Sequence, residues 1–97
     1  MVVLRHETWT FADSMCSGVA GLESHAFNVR ISGPGELRHV YYASTHEEAM
    51  QKHYDQQGWG RYKPIPGMTD QPYPAAQLER QLAEYPADEQ LKALNGR

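Results

Sequence analysis

The sequence has little cysteine and few aliphatic side chains. Cys16 is the one cysteine, and Leu, Ile, Val and Phe together supply only 16 of the 97 residues. One cysteine cannot form an intramolecular disulfide, and a missing disulfide framework is typical of a reducing compartment, so we expect a cytoplasmic location. A low aliphatic content accompanies disorder when the net charge is also high. Because the formal net charge is only −3, we predict a folded chain.

Long apolar runs and an excess of positive charge are also missing. No window approaches the roughly 18 uninterrupted apolar residues of a membrane span, and residues 1–7 lack the apolar centre of a signal peptide. We therefore expect no membrane partner. Acidic residues outnumber basic ones by 12 to 9, which gives no general attraction for phosphate backbones and disfavours nucleic acid as a partner, unless a local basic patch binds it.

The spacings of common catalytic and metal sites are absent as well. The sequence contains no HExxH, no CxxC and no Asp-rich calcium loop, and the glycines near residue 20 lack the ending of a phosphate-binding loop. Two of the five histidines, His46 and His53, are separated by about 10 Å along a predicted helix, which is too far to share a metal ion. Cys16 has no neighbouring base in the sequence that would ionise its thiol. We predict no metal, no cofactor and no catalytic residue, and an enzyme that uses Cys16 or a histidine is the third of three hypotheses.

A Pro-rich stretch separates a β-rich part of the chain from a helical tail. Four of the six prolines lie within residues 64–74, where they exclude a helix or a central strand because proline lacks an N–H donor and restricts its predecessor. We predict a single domain over residues 1–97, with a β-rich part over 2–63, a Pro-rich connection over 64–74 and a helical tail over 75–95. The predicted class is α+β: a small antiparallel sheet of about three strands, one helix packed on it, the Pro-rich connection and a C-terminal helical segment.

Three stretches of the β-rich part predict strands, and the last two of them form a predicted hairpin. Residues 2–11 contain Trp, Phe and two Thr and favour a strand, whereas residues 12–24 are small and polar and favour a loop, with at most one helical turn near Met15. Residues 26–31 and 37–42 flank a Ser-Gly-Pro-Gly-Glu cluster and predict a β-hairpin. A four-residue loop would pair Phe27 with Tyr42 and Ile31 with Arg38, and a five-residue loop would turn every side chain to the other face. We prefer the four-residue loop because it collects apolar side chains on one face.

Helices are predicted by their start and stop signals. Either Ser44 with Glu47 or Thr45 with Glu48 fits a capping box, and Gly58 supplies a left-handed C-terminal residue, so a helix is predicted over about 45–57. In the tail, apolar residues at helical spacing after Pro74 predict a second helix, and a last short helix follows it.

The predicted sheet presents one candidate binding surface. In the preferred register its outer face carries Arg30, His39 and Tyr41, with Arg38 on the same strand as the last two. Such a group can stack bases or bind an acidic peptide, although a solvated face is the simpler interpretation. A nucleic-acid-binding module that uses these four residues is the second hypothesis.

The segment after the first predicted helix is the other candidate surface. Residues 59–66 combine two aromatic side chains with two cations and an extended backbone, a composition that is typical of interface hot spots. The candidate residues are Trp59, Arg61, Tyr62, Lys63 and Ile65. The alternative is a loop that folds back and seals an aliphatic-poor core, with Trp59 and Ile65 turned inward. The leading hypothesis is a small non-catalytic module that binds a protein partner, or a second copy of itself as a homo-oligomer, through this segment and the neighbouring sheet surface.

Overall fold

The computed structural model describes residues 1–97 and contains three strands and four helices. Their order along the chain is β1 (Leu4–Thr10), β2 (Met15–Val19), α1 (Leu22–Ser32), β3 (Glu36–Ala43), α2 (His46–Gln57), α3 (Ala75–Glu84) and α4 (Glu89–Leu94). The predicted α+β class with a three-stranded antiparallel sheet is confirmed. None of the four helices combines the length and the apolar character that crossing a bilayer requires.

β1 is the central strand of the sheet, which has the order β2-β1-β3. Both neighbours pair with it in antiparallel register, so that Thr8 lies opposite Ser17 on one side and opposite His39 on the other. A bulge interrupts the pairing with β3 after Thr8. The strand predicted over residues 2–11 is therefore confirmed as β1, and its central place explains why four of its seven residues, three of them consecutive, are buried.

The hydrophobic core is small and lies in two clusters. Tyr41 and Ala43 of β3 pack against Ala49 of α2, which covers one face of the sheet. Leu4, at the start of β1, packs against Leu78 of α3 and Leu91 of α4. The helical tail thus closes one end of the sheet, as an aliphatic-poor chain requires.

The loop predicted over residues 12–24 is wrong in its middle part, because residues 15–19 form β2. Local β-propensity is low there, and the strand forms because it pairs with the otherwise free edge of β1. A tight turn precedes it, in which Phe11 N–H donates to Ser14 O at 2.8 Å. Side chains reinforce the pairing, since the Ser17 hydroxyl lies 2.9 Å from that of Thr8 and 2.6 Å from that of Tyr41.

The predicted β-hairpin over residues 26–42 is also wrong, because residues 22–32 form α1 and only the second half is a strand. The predicted pairs of Phe27 with Tyr42 and of Ile31 with Arg38 therefore do not exist. Glu23 in the first turn and Arg30 in the last turn match the helix dipole. Gly33, at φ 79°, accommodates the left-handed turn that ends the helix, so the glycine-proline cluster ends a helix and does not turn a hairpin.

The helix predicted over about 45–57 is observed as α2. Of the two capping alternatives, the pair of Thr45 and Glu48 forms: the Thr45 hydroxyl accepts from Glu48 N–H at 3.2 Å, while the Glu48 carboxylate accepts from Ser44 N–H at 2.7 Å. The Pro-rich connection contains no helix, and it makes one isolated antiparallel β-bridge, in which Pro72 lies opposite Thr45. α3 and α4 lie in the stretch predicted as the helical tail.

Candidate protein-interaction site

Gln51 of α2 holds the segment that follows the helix. Its side-chain oxygen accepts from Tyr62 N–H at 2.9 Å, and its side-chain nitrogen donates to Gly60 O at 3.1 Å. Gly58 and Gly60 both have positive φ, which lets the chain reverse direction after the helix. The segment consequently runs back along α2.

Aromatic rings anchor the same segment to the helix. The Trp59 ring meets the rings of His53 and Tyr54 edge-on, with both centroid distances at 5.4 Å. The Tyr62 ring meets Tyr54 edge-on at 5.3 Å and His46 at 6.2 Å. Edge-to-face pairs at these distances are favourable. The rings of Trp59 and Tyr62 therefore both pack against α2.

Most of the segment nevertheless remains open to solvent. Trp59 is 55% exposed and Ile65 is 60% exposed, so neither is turned inward to seal the core. Arg61 and Lys63 are exposed and form no ion pair. Tyr62 is the one residue between 59 and 65 that is half-buried.

A cleft of about 310 Å³ opens between this segment, the Pro-rich connection and the start of α2. We call it the aromatic cleft. We call its aromatic and apolar lining residues the walls of the cleft and its polar lining residues the rim. The wall residues are Tyr62, Pro64, Ile65, Met68, Pro72, Tyr73 and Pro74, and the rim residues are His46, Glu47, Thr69, Asp70 and Gln71.

Two carboxylates make the rim of the aromatic cleft negative. Partial desolvation alone would raise the pKa of Asp70, but hydrogen bonds from the Thr45 hydroxyl and from Glu47 N–H, the latter at 3.2 Å, bring it below its usual value. The pKa of Glu47 is raised, first by desolvation and then by the charge of Asp70. The two groups therefore share one patch of negative potential near the helix N-terminus, where the dipole favours it.

A buried histidine fixes the Tyr73 wall of the cleft. His6 of β1 is 1% exposed, and its Nδ1 lies 3.0 Å from Leu4 O while its Nε2 lies 2.8 Å from the Tyr73 hydroxyl. A carbonyl oxygen only accepts, so Nδ1 carries the proton and Nε2 accepts from Tyr73. Burial lowers the pKa of His6 to about 4 and raises that of Tyr73 to about 12. Both groups are therefore neutral at pH 7, and their hydrogen bond positions the Tyr73 ring in the wall.

The outer sheet surface predicted from the hairpin does not exist. Arg30 lies in the last turn of α1, and Tyr41 is only 6% exposed, with its hydroxyl hydrogen-bonded to Ser17. His39 and Arg38 do lie on β3 and are exposed, and Arg38 donates to the Thr10 hydroxyl at 2.9 Å. Arg30 lies on a helix and Tyr41 is buried, so the four residues do not form one exposed surface, and the geometry adds no support to the hypothesis of nucleic-acid binding.

A polar network near the end of the sheet was missed by sequence reasoning. The Arg5 guanidinium pairs with Glu7 at 2.9 Å and with Asp88 at 2.8 Å, and the Tyr42 hydroxyl donates to Asp88 at 3.0 Å. The Arg5 guanidinium also lies over the Tyr85 ring, 4.8 Å from its centre. Each charged group contacts a group of opposite charge, and the network joins β1 to the tail. Because Asp88 lies 83 residues from Arg5 and 46 residues from Tyr42, no local pattern indicates it.

No hydrogen bond joins Cys16, the cysteine of the third hypothesis, to a histidine. Cys16 is exposed on β2 opposite Trp9. The Trp9 ring stacks on His25 at 4.0 Å, yet no hydrogen bond joins the thiol to that imidazole. No three His, Cys, Asp or Glu side chains converge to hold a metal ion.

Comparison with known proteins identifies no relative of this chain. Models of protein families, curated protein sequences and solved structures all give no match.

Proposed function

We propose that this protein is a non-catalytic interaction module that binds an extended segment of a partner protein in the aromatic cleft. One observation carries the proposal: Ile65 and Met68 are 60% and 66% exposed on a segment that Gln51 and the ring contacts hold in place. Exposed apolar patches of this kind mark interaction sites. Because the surface is formed in advance, binding requires little ordering of the module itself.

The lining of the cleft selects the chemistry of the bound segment. Tyr62 and Tyr73 alternate with prolines along the walls, and aromatic-lined grooves of this type suit the polyproline II conformation. The carboxylates of Glu47 and Asp70 at the rim favour a cation beside the apolar part of the segment. The proposed ligand is therefore an extended, proline-containing stretch that carries an Arg or Lys.

The other exposed side chains of the segment enlarge the surface around the cleft. Trp59 offers a ring that is still half exposed after packing on α2, and Arg61 and Lys63 offer unpaired cations. Trp and Arg are among the residues that contribute most to interfaces. We assign them to the edge of the interface, where they contact the partner outside the cleft.

Fluorescence anisotropy with a labelled synthetic peptide tests the proposal. The peptide Pro-Leu-Pro-Pro-Leu-Pro-Arg should bind, and it should bind more tightly than the same peptide ending in Glu, with a difference that shrinks as salt is added. Ile65→Asp should abolish binding. Ile31→Asp is the matched control, since it changes an isoleucine of similar exposure on α1.

Two results would contradict the proposal. One is the absence of binding by either peptide to the unaltered protein. The other is equal binding by the Ile65→Asp and Ile31→Asp variants, which would show that the cleft plays no part. Circular dichroism of each variant confirms that the fold is retained.

A further inference from the structure

α1 has an unusual position, because none of its 11 residues is buried. Isolated helices shorter than about 12–15 residues are marginal in water, and packing normally provides most of a helix's stability. The contacts that hold α1 include the stacking of His25 on Trp9 and a hydrogen bond at 3.1 Å from Leu22 N–H to the Glu84 carboxylate. Phe27 and Ile31 remain 52% and 67% exposed.

Four of the exposed side chains of α1 lie on one face. Glu23, Phe27, Arg30 and Ile31 are separated by four, three and one residues, which places them on neighbouring turns of the same side. A groove of about 730 Å³ separates part of this face from α3. The α3 wall of the groove carries Arg80 and Glu84, one charge of each sign.

We infer that a second copy of the chain covers this face, with the two α1 helices packed antiparallel about a two-fold axis near Phe27. The charges argue for this occupant. α1 is acidic in its first turn and basic in its last, so antiparallel packing places Glu23 of each copy beside Arg30 of the other. A partner of one charge sign would be repelled by half of the surface, whereas the surface complements itself.

This inference does not depend on the aromatic cleft, which α1 does not line. It concerns Phe27 and Ile31, which are exposed apolar side chains outside the cleft. Two Phe27 rings that meet at the axis would be contacts of the kind that dominate small interfaces.

Sedimentation equilibrium tests the inference on the full chain. The unaltered protein should dimerise, and Phe27→Asp should raise the dimer dissociation constant on the order of a hundredfold or more, since each dimer loses the ring twice. Trp59→Ala should leave dimerisation unchanged. A monomeric unaltered protein, or a Phe27→Asp variant that dimerises as well as the parent, would overturn the inference without affecting peptide binding in the cleft.

Charge exchange tests the antiparallel arrangement itself. Glu23→Arg and Arg30→Glu should each weaken self-association, because each creates two like-charge contacts per dimer. Mixed in equal amounts, the two variants should form a heterodimer preferentially, because every contact then joins opposite charges. Native mass spectrometry distinguishes the species, and a merely statistical mixture would refute the arrangement. Circular dichroism of both variants checks that α1 is retained.

Discussion

The free energy of unfolding should fall as the pH is lowered from 7 to 5, and His6 should account for most of the fall. Burial lowers the pKa of His6 to about 4 in the folded protein, whereas histidine in an unfolded chain has a pKa of about 6.5. At a pH between these two pKa values, the His6 side chain is protonated in most unfolded chains and neutral in most native ones, so the unfolded chain binds about one proton more than the native state. Stability contributed by neutral His6 is therefore fully present above about pH 6.5 and is lost as the pH falls towards 4.

The size of this loss of stability follows from the difference between the pKa values of His6 in the folded and the unfolded chain. Each pH unit within the window changes the free energy by about 1.4 kcal/mol, so the loss reaches about 2 kcal/mol at pH 5 and about 3 kcal/mol over the full window. His53 adds a contribution of the same sign, because burial and then the charge of His39 lower its pKa. Asp88 titrates at lower pH: burial alone would raise its pKa, but hydrogen bonds from Leu91 N–H and Arg5 bring it below its usual value.

The variant His6→Gln isolates the contribution of His6. An amide side chain still offers one donor towards Leu4 O and one acceptor for the Tyr73 hydroxyl, but it does not titrate. Urea unfolding followed by tryptophan fluorescence should therefore show about 2 kcal/mol less loss of stability in the variant than in the parent between pH 7 and 5, and the His53 contribution cancels in the comparison. Equal pH dependence of the two proteins would refute the reasoning.

Three further predictions concern stability and are checked by urea unfolding at pH 7. Gln81→Leu should lower the free energy of unfolding by about 3 kcal/mol, because it leaves the Arg5 N–H and the Ala20 carbonyl without the bonds of 2.8 and 2.9 Å that Gln81 makes to them, while Arg5 O keeps its bond from Ala20 N–H; a loss below about 1 kcal/mol would contradict this. Gly35→Ala should cost about 1–3 kcal/mol because its Cβ would lie 2.5 Å from the nearest ring atom of a buried phenylalanine, while Gly18→Ala, with no atom within 4 Å of the added group, is the control and should change little. Asp88→Asn should cost about 3 kcal/mol because it leaves a largely buried guanidinium with one carboxylate in place of two, and a loss no larger than that of an exposed ion pair would count against it.

Strong local signals made half of the fold predictable. β1 has strand-forming residues, and α2 has a capping box at one end and a left-handed glycine at the other. β2 was missed because Met15–Val19 becomes a strand only through pairing with β1. α1 was missed because a short apolar run followed by Gly-Pro fits both a hairpin and the end of a helix.

The candidate site was predictable to a similar extent. The segment from Trp59 to Ile65 has its rings and cations in consecutive residues, so its composition was visible in the sequence, whereas its exposure was one of two alternatives. The opposite wall at Tyr73 depends on a hydrogen bond to His6, 67 residues away, and the rim depends on Asp70 meeting Glu47. Contacts between such distant positions leave no local pattern.

The shortage of aliphatic side chains affects both the interior of this protein and its surfaces. Polar side chains occupy core positions, and hydrogen bonds satisfy those of His6, Thr8 and Gln81. The rings of Trp59 and Tyr62 coat α2 and add little to the interior. Among the large apolar side chains that stay exposed, Phe27 and Ile31 lie on the face of α1, and Ile65 and Met68 line the aromatic cleft. Since a small core provides little stability of its own, partner contacts at both surfaces should raise the midpoint of thermal unfolding, and they should do so independently, because Ile65→Asp and Phe27→Asp each remove only one of them.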